Sequence, residues 1–287
     1  MKERNALCLM LLASFIWGIT FAFQSQAADV IGPFMYNAIR LILGFIVLLP
    51  LTLRAINKHK GDRQYLKTLL KGGALCGFVL GAASVTQQAG IAYTTAGKAG
   101  FITSLYTLLV PVFSIVLGKK VSKKLWFCVA LGLVGAFMLS INSETGIGKG
   151  DLLIFCCAVL FALQIMVIDK YNKVLEGVDL SAFQFLFSGL FCLIPGLCFE
   201  PFELSMVKAA AVPILYAGIF SCGVAYTFQI IGQKYVQPTK ATLALSLENA
   251  WAAVGGAVIL GEHMSPKELC GCILLFASVI FAQIDKK

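Results

Sequence analysis

Gln87-Gln88-Ala89-Gly90-Ile91-Ala92-Tyr93-Thr94-Thr95-Ala96-Gly97-Lys98-Ala99-Gly100-Phe101-Ile102-Thr103-Ser104-Leu105 has a counterpart later in the chain. A shift of 142 residues lays it on Gln229-Ile230-Ile231-Gly232-Gln233-Lys234-Tyr235-Val236-Gln237-Pro238-Thr239-Lys240-Ala241-Thr242-Leu243-Ala244-Leu245-Ser246-Leu247. Gln87 then meets Gln229, Gly90 meets Gly232 and Tyr93 meets Tyr235. Lys98-Ala99 meets Lys240-Ala241, and Ser104-Leu105 meets Ser246-Leu247. One residue of drift brings Leu117-Gly118 onto Leu260-Gly261 and Ser122 onto Ser265; at a shift of 145, Pro50 falls on Pro195. Apolar sequence matches itself often by chance, so the polar and glycine matches in register carry the weight.

The repeat lies in a chain of 287 residues of which 59% are hydrophobic and 13% charged, with a mean hydropathy of +0.87. A soluble domain carries about 25% charged residues, so a soluble globule, disorder and a disulfide scaffold are excluded. Stretches long enough to cross about 30 Å of hydrocarbon fall at 6–26, 33–54, 69–92, 97–118, 124–142, 151–169, 180–199, 209–232, 239–260 and 268–284. Backbone groups in lipid must be satisfied within a segment, which makes these helices; the alternating ten-residue strands of a membrane barrel are not found. The expected fold class is an all-α integral membrane protein with ten transmembrane helices. With the N-terminus placed in the cytoplasm, 18 of the 23 Lys and Arg fall on the cytoplasmic side and four on the other, with Arg40 inside a span. That asymmetry is the positive-inside pattern for both termini inside the cell membrane. It also explains the net charge of +9 without nucleic acid, because the cations fill short gaps between spans. Lys119, Lys120, Lys123 and Lys124 form one such cluster, and anionic membrane lipids are its natural contact.

Five spans per copy is an odd number, so the second copy enters the membrane from the opposite side. The expected organisation is two inverted five-helix repeats, residues 1–142 and 150–287. Inverted repeats serve secondary transporters by letting the two halves exchange conformations around a site at the midplane. The alternatives are a membrane-embedded enzyme and a channel-like bundle. Gly148-Lys149-Gly150-Asp151 has the G-x-G-D pattern of an intramembrane aspartyl protease, yet no second Asp lies mid-span to share a proton. His59 and His263 fall in loops, so no Ser–His pair forms at depth. The cysteines Cys8, Cys76, Cys128, Cys156, Cys157, Cys192, Cys198, Cys222, Cys270 and Cys272 lie in or beside apolar stretches and lack zinc spacing. No metal and no cofactor is expected. Lys2 and Arg4 before the run Ala6–Phe23, with Ser25-Gln26-Ala27 after it, have the outline of a signal peptide. The run has a counterpart later in the chain and reads as a retained first span.

Over nearly its full length the sequence resembles the EamA-type branch of the drug/metabolite transporter (DMT) superfamily. The segments that carry the resemblance are Trp17-Gly18, Tyr93 to Phe101, Pro238-Thr239-Lys240-Ala241, Leu245-Ser246-Leu247-Glu248 and Leu260-Gly261-Glu262. The resemblance implies a five-plus-five-helix carrier of small organic metabolites, often an exporter. Two positions depart from the family pattern: Asn249 stands where a Pro commonly follows the Glu, and Gly118-Lys119 stands where the second half has Gly261-Glu262.

Ionisable groups inside a membrane are costly and face a cavity or a partner. Glu248, mid-span, and Arg40 are the ion-coupling candidates. Desolvation favours the neutral acid of Glu248, whereas a cation within reach favours its carboxylate; sequence leaves both open, along with a structural pairing of Glu248 with Arg40 or hydroxyls. Lys240 and Glu248 are eight residues apart, about 80° of rotation and 12 Å of rise in a continuous helix, so both are expected on one broad face. Lys98 and Tyr106 repeat that spacing. Gln87, Gln88, Gln164 and Gln229 offer donors and acceptors to a small-molecule substrate, or bond helix to helix. Ser104, Ser246 and Tyr226 share that ambiguity. Trp17 and Trp251 are candidate cavity walls or packing residues. Gly72, Gly73, Gly77, Gly81, Gly132, Gly135 and Gly255-Gly256 are expected to let helices approach closely. Substrate identity, direction, coupling ion and a possible homodimer are not legible at this level.

Overall fold

The computed structural model describes the chain except residues 60, 95, 141–147, 260–264 and 284–287, and the side chains of 96–98, 139–140, 255–259 and 283. It is all-helical among the described residues. The helices are α1 (Glu3–Ala28), α2 (Pro33–Lys58), α3 (Arg63–Ile91), α4 (Ala96–Ser104), α5 (Tyr106–Val116), α6 (Lys123–Ser140) and α7 (Lys149–Tyr171). They continue as α8 (Gly177–Phe199), α9 (Leu204–Ala209), α10 (Ala211–Tyr216), α11 (Thr227–Gln233), α12 (Pro238–Leu245), α13 (Glu248–Ile259) and α14 (Pro266–Gln283). A π-helical segment, Ala217–Tyr226, joins α10 to α11.

Among the described residues seven stretches are long and apolar enough to cross a membrane: α1, α2, α3, Ala99–Val116, α7, α8 and Ala211–Gln233. Each sits on an expected span. The expected spans 124–142, 239–260 and 268–284 correspond to α6, to α12 with α13, and to α14, and each runs into residues outside the description. The helices overrun the apolar windows, because a backbone already helical in lipid continues for a turn into the polar zone when something caps it. Asp62 caps α3 by accepting from Tyr65 N at 2.9 Å. Ser122 accepts from Leu125 N at the start of α6, and Ser265 with Glu268 forms a reciprocal box at the start of α14. Ser122 and Ser265 are matched by the internal repeat, and capping is the physical reason for the match.

α2 opens on Pro33, whose missing N–H would be unpaired there anyway. The next two amides are held from the far end of α8: Phe34 N and Met35 N donate to the Glu200 carboxylate at 2.9 and 2.8 Å. Glu200→Ala is expected to cost about 1–2 kcal/mol, the size of a lost helix cap. A lowered melting temperature of the purified protein checks this, with Glu200→Gln intermediate.

Among the described residues two breaks interrupt otherwise spanning helices. α4 ends at Ser104 and α5 starts at Tyr106; α12 ends at Leu245 and α13 starts at Glu248. The breaks fall on Leu105 and on Ser246-Leu247, which the repeat aligns. At each one the preceding serine turns its hydroxyl back on its own helix: Ser104 donates to Phe101 O at 2.7 Å and Ser246 to Leu243 O at 2.9 Å. Such back-bonding competes with the backbone ladder and bends helices.

The packing joins the two halves of the sequence throughout. α2 runs along α8, α3 lies between α7 and α8, α6 packs on α14, and α1 packs on α13, α11 and the π segment. The glycine stripe of α3 makes its two crossings possible. A Cβ built at Gly77 would stand 2.7 Å from Gln184 O, and one at Gly72 2.8 Å from the Tyr171 ring. Gly135 presses as closely on Gly271 O of α14. Gly255-Gly256 lies outside the described side chains.

Candidate functional site

The helix breaks, α1, α2, α3, α7, the π segment and α11 surround a cavity in the middle of the bundle, with about 510 Å³ of space between its lining atoms, part of it open at the mouth. Its polar wall comprises Thr20, Gln24, Arg40, Gln87, Thr103, Gln164, Ser221, Gln229 and Glu248; its aromatic wall comprises Trp17, Phe21, Tyr106, Phe161 and Tyr226. Trp17 and Tyr226 pack with ring centroids 4.6 Å apart.

Glu248 is 5% exposed and Tyr106 4%. Tyr106 Oη donates to Glu248 Oε1 at 3.3 Å across a separation of 142 residues, the offset of the repeat. The two residues that open α5 and α13 therefore meet each other. The lining repeats the pairing elsewhere: Gln87 and Gln229, and Thr103 and Leu245, are also 142 apart. At a shift of 144, Trp17 pairs with Phe161, Thr20 with Gln164 and Phe21 with Ile165. Most of the wall is thus built twice; partners differ in polar chemistry at Tyr106/Glu248, Thr20/Gln164 and Thr103/Leu245. Gln24, Arg40, Ser221 and Tyr226 have no lining counterpart at these shifts.

A glutamine cluster closes one end. Gln24 Nε2 donates to Gln87 Oε1 at 3.2 Å and Gln88 Nε2 to Gln24 O at 2.9 Å, while Gln87 Nε2 reaches Thr103 Oγ1 at 3.4 Å. Gln164 Nε2 donates to Gln184 Oε1 at 3.3 Å. On the wall itself Trp17 Nε1 and Gln229 Oε1 have no partner among the described residues. Unpaired buried donors and acceptors cost free energy, and a bound polar solute recovers it.

The structure brings together Trp17, Arg40, Gln87, Tyr106, Gln164, Tyr226, Gln229 and Glu248 of the expected site. It places others elsewhere. Ser104 and Ser246 spend their hydroxyls at the helix breaks. Trp251 packs edge-on against Phe15 and Phe276, with centroids at 5.2 and 5.6 Å. The Lys98 side chain lies outside the description. Lys240 does not share a face with Glu248: the break at Ser246-Leu247 ends the helical register between them. Lys240 instead pairs with Glu3 at 3.3 Å and lines a separate recess with Lys120, Lys124 and Gln237. Glu248 and Arg40 line one cavity without pairing; among the described residues no carboxylate lies within 4.0 Å of Arg40. Gln24 was missed, although an amide inside an apolar run was a readable signal. Thr20, Phe21, Thr103, Phe161, Ile165, Ser221 and Leu245 carried none, because such residues are ordinary anywhere in a span.

Membrane-crossing helices around a central polar cavity define a multi-pass membrane transporter. The sequence matches the EamA-like transporter family over residues 4–141 and again over 148–283. An uncharacterized transporter of Archaeoglobus fulgidus is 30% identical over 95% of this chain and 84% of its own length. The uncharacterized transporter YvbV of Bacillus subtilis is 24% identical over 100% of this chain and 93% of its own. The uncharacterized inner membrane transporter YedA of Escherichia coli K12 is 24% identical over 94% and 88%. A crystal structure superposes with a TM-score of 0.78, covering 99% of this chain and 97% of the other at 19% identity, so the fold is shared. The chain belongs to the EamA-like transporter family of the drug/metabolite transporter type.

Proposed function

We propose that this protein is a secondary carrier that exports small organic solutes (metabolites, amino acids or drug-like molecules) across the plasma membrane by alternating access around the central cavity. In this reading ten helices form two inverted five-helix units, 1–142 and 150–287, with both termini in the cytoplasm. The observation that carries it is the contact between Tyr106 and Glu248. Residues related by the repeat offset meet only where the relating axis passes between them, and here they meet inside the cavity. The packing supports the same relation, since exchanging the halves turns α3 on α8 into the π segment on α2, and α1 on α13 into α7 on α5. Breaks at equivalent points of two spanning helices support it as well, because discontinuous helices build midplane sites in carriers.

The role of Glu248 is to couple the solute to a proton. It is the ionisable member of a pair whose twin, Tyr106, touches it, so its protonation acts on the junction between the halves. No metal or cofactor enters the mechanism, and catalysis is not part of it.

Trans-stimulated counterflow of a metabolite mixture in proteoliposomes tests the carrier reading. Exchange accelerated by solute on the far side is expected. Linear flux without trans-stimulation indicates a channel-like bundle, and covalent conversion of a solute indicates an enzyme; either result removes the carrier.

A further inference from the structure

Arg40 is 2% exposed and lines the cavity. A guanidinium carries five N–H donors. Arg40 uses its Nε, which donates to Asn37 Oδ1 at 2.8 Å, and its charge lies 5.5 Å from the centroid of the Tyr36 ring. Its terminal amino groups have no hydrogen-bond partner among the described residues. Asn37 is itself fixed: its Nδ2 donates to Pro33 O at 2.7 Å in α2 and to Ser84 O at 3.2 Å in α3. With both Nδ2 hydrogens engaged, the amide is fixed with Oδ1 presented to Arg40, and it orients the guanidinium through Nε. The edge formed by the two terminal nitrogens is left as a fork.

We propose that this fork is the anion subsite of the cavity, and that the transported solute bears one carboxylate or a comparable planar monoanion. The inference rests on the carrier reading for the word transported; binding is independent of it. A buried cation without a counter-charge is costly and is retained where it binds something. The planar fork matches a carboxylate with two parallel hydrogen bonds. One cation offsets one negative charge, and the other ionisable group on the wall, Glu248, adds repulsion when ionised. A dianion such as inorganic phosphate therefore enters at a disadvantage. The body of the solute lies against Trp17 and Tyr226, with Gln87 and Gln229 for neutral polar substituents.

The test is binding to the purified full-length protein in nanodiscs, read as melting temperature and as calorimetric affinity. The probes are small aliphatic and aromatic carboxylates, each beside its primary amide and the corresponding amine, together with inorganic phosphate. Carboxylates are expected to stabilise the protein and the amides to bind about 10- to 100-fold more weakly, the size of a lost charged hydrogen-bond partner. Arg40→Gln is expected to abolish the difference between acid and amide. Arg40→Lys keeps the charge without the fork and is expected to restore part of it; the acid–amide comparison on the native protein stands even if neither variant folds. Equal stabilisation by amides, amines or phosphate overturns the proposal, as does a panel in which no carboxylate binds, or Arg40→Gln protein that still prefers acids. Carboxylate binding without trans-stimulated exchange removes the carrier and keeps the subsite. Exchange of neutral or cationic solutes untouched by Arg40→Gln removes the subsite and keeps the carrier.

Discussion

Gly18→Val is expected to abolish transport and to lower stability by about 3 kcal/mol or more, beyond the usual range for an overpacked core. Even a single Cβ at position 18 would lie 2.5 Å from Trp251 Cβ, 2.7 Å from Glu248 O and 2.8 Å from Ala252 N. Two of those three atoms are backbone, so no rotamer change relieves the clash and α13 has to move away from α1. One of the two backbone atoms is Glu248 O, so the displacement is also expected to draw the Glu248 carboxyl away from Tyr106. Gly18→Ala is expected to show the same defect more mildly, at about 1–3 kcal/mol. Melting temperature and the monodispersity of the purified protein check the stability, and counterflow checks the activity. A Gly18→Val protein as stable and active as the native one would show that the α1–α13 seam is not close-packed.

Glu248→Gln is expected to leave the fold intact and to remove the pH dependence of transport together with accumulation against a gradient. The amide has the shape of the carboxyl and still accepts from the Tyr106 hydroxyl, which reaches Glu248 Oε1 at 3.3 Å; what it lacks is a titratable proton. Exchange at equal concentrations on both sides is expected to persist, since that mode needs no net proton movement. Tyr106→Phe is the complementary change. It deprives the buried carboxyl of its one side-chain donor among the described residues, and leaving such a group unpaired costs about 1–3 kcal/mol. The double variant is expected to be less impaired than the sum of the singles, because the two side chains share one interaction. Transport rate against pH in proteoliposomes decides the matter: a Glu248→Gln profile superimposable on the native one removes Glu248 from the mechanism.

Much of the fold was legible because hydropathy is additive along a chain. A run of apolar residues announces a span whatever it packs against, and α1, α2, α3, α7 and α8 lie within a turn or two of the windows expected for them. The repeat was legible through polar residues that an apolar background makes conspicuous, and Ser122 and Ser265 have a cap as their reason. Harder to read was which side of each helix faces inward. Lipid and protein interior are both apolar, so Trp17, on the cavity, and Trp251, against Phe15 and Phe276, have the same appearance in sequence. The expectation that Lys240 and Glu248 share a face assumed an unbroken helix, and the break at Ser246-Leu247 removed that assumption. The π segment Ala217–Tyr226, which carries Ser221 and Tyr226 to the cavity, has no composition that distinguishes it from an ordinary span.

By itself, then, the chain's order of residues determined that it crosses a membrane repeatedly, that its two halves correspond, and that Glu248 and Arg40 stand out as charges at depth. Those are properties of composition and spacing, carried by each segment alone. The tertiary structure decided that Tyr106 and Glu248 touch, that Arg40 and Glu248 share a wall without pairing, and that Asn37 holds the Arg40 guanidinium through Nε. Such contacts depend on the rotation of each helix about its own axis, which is set by the neighbour it packs on, and in α1 and α3 by where a glycine allows that neighbour to come close.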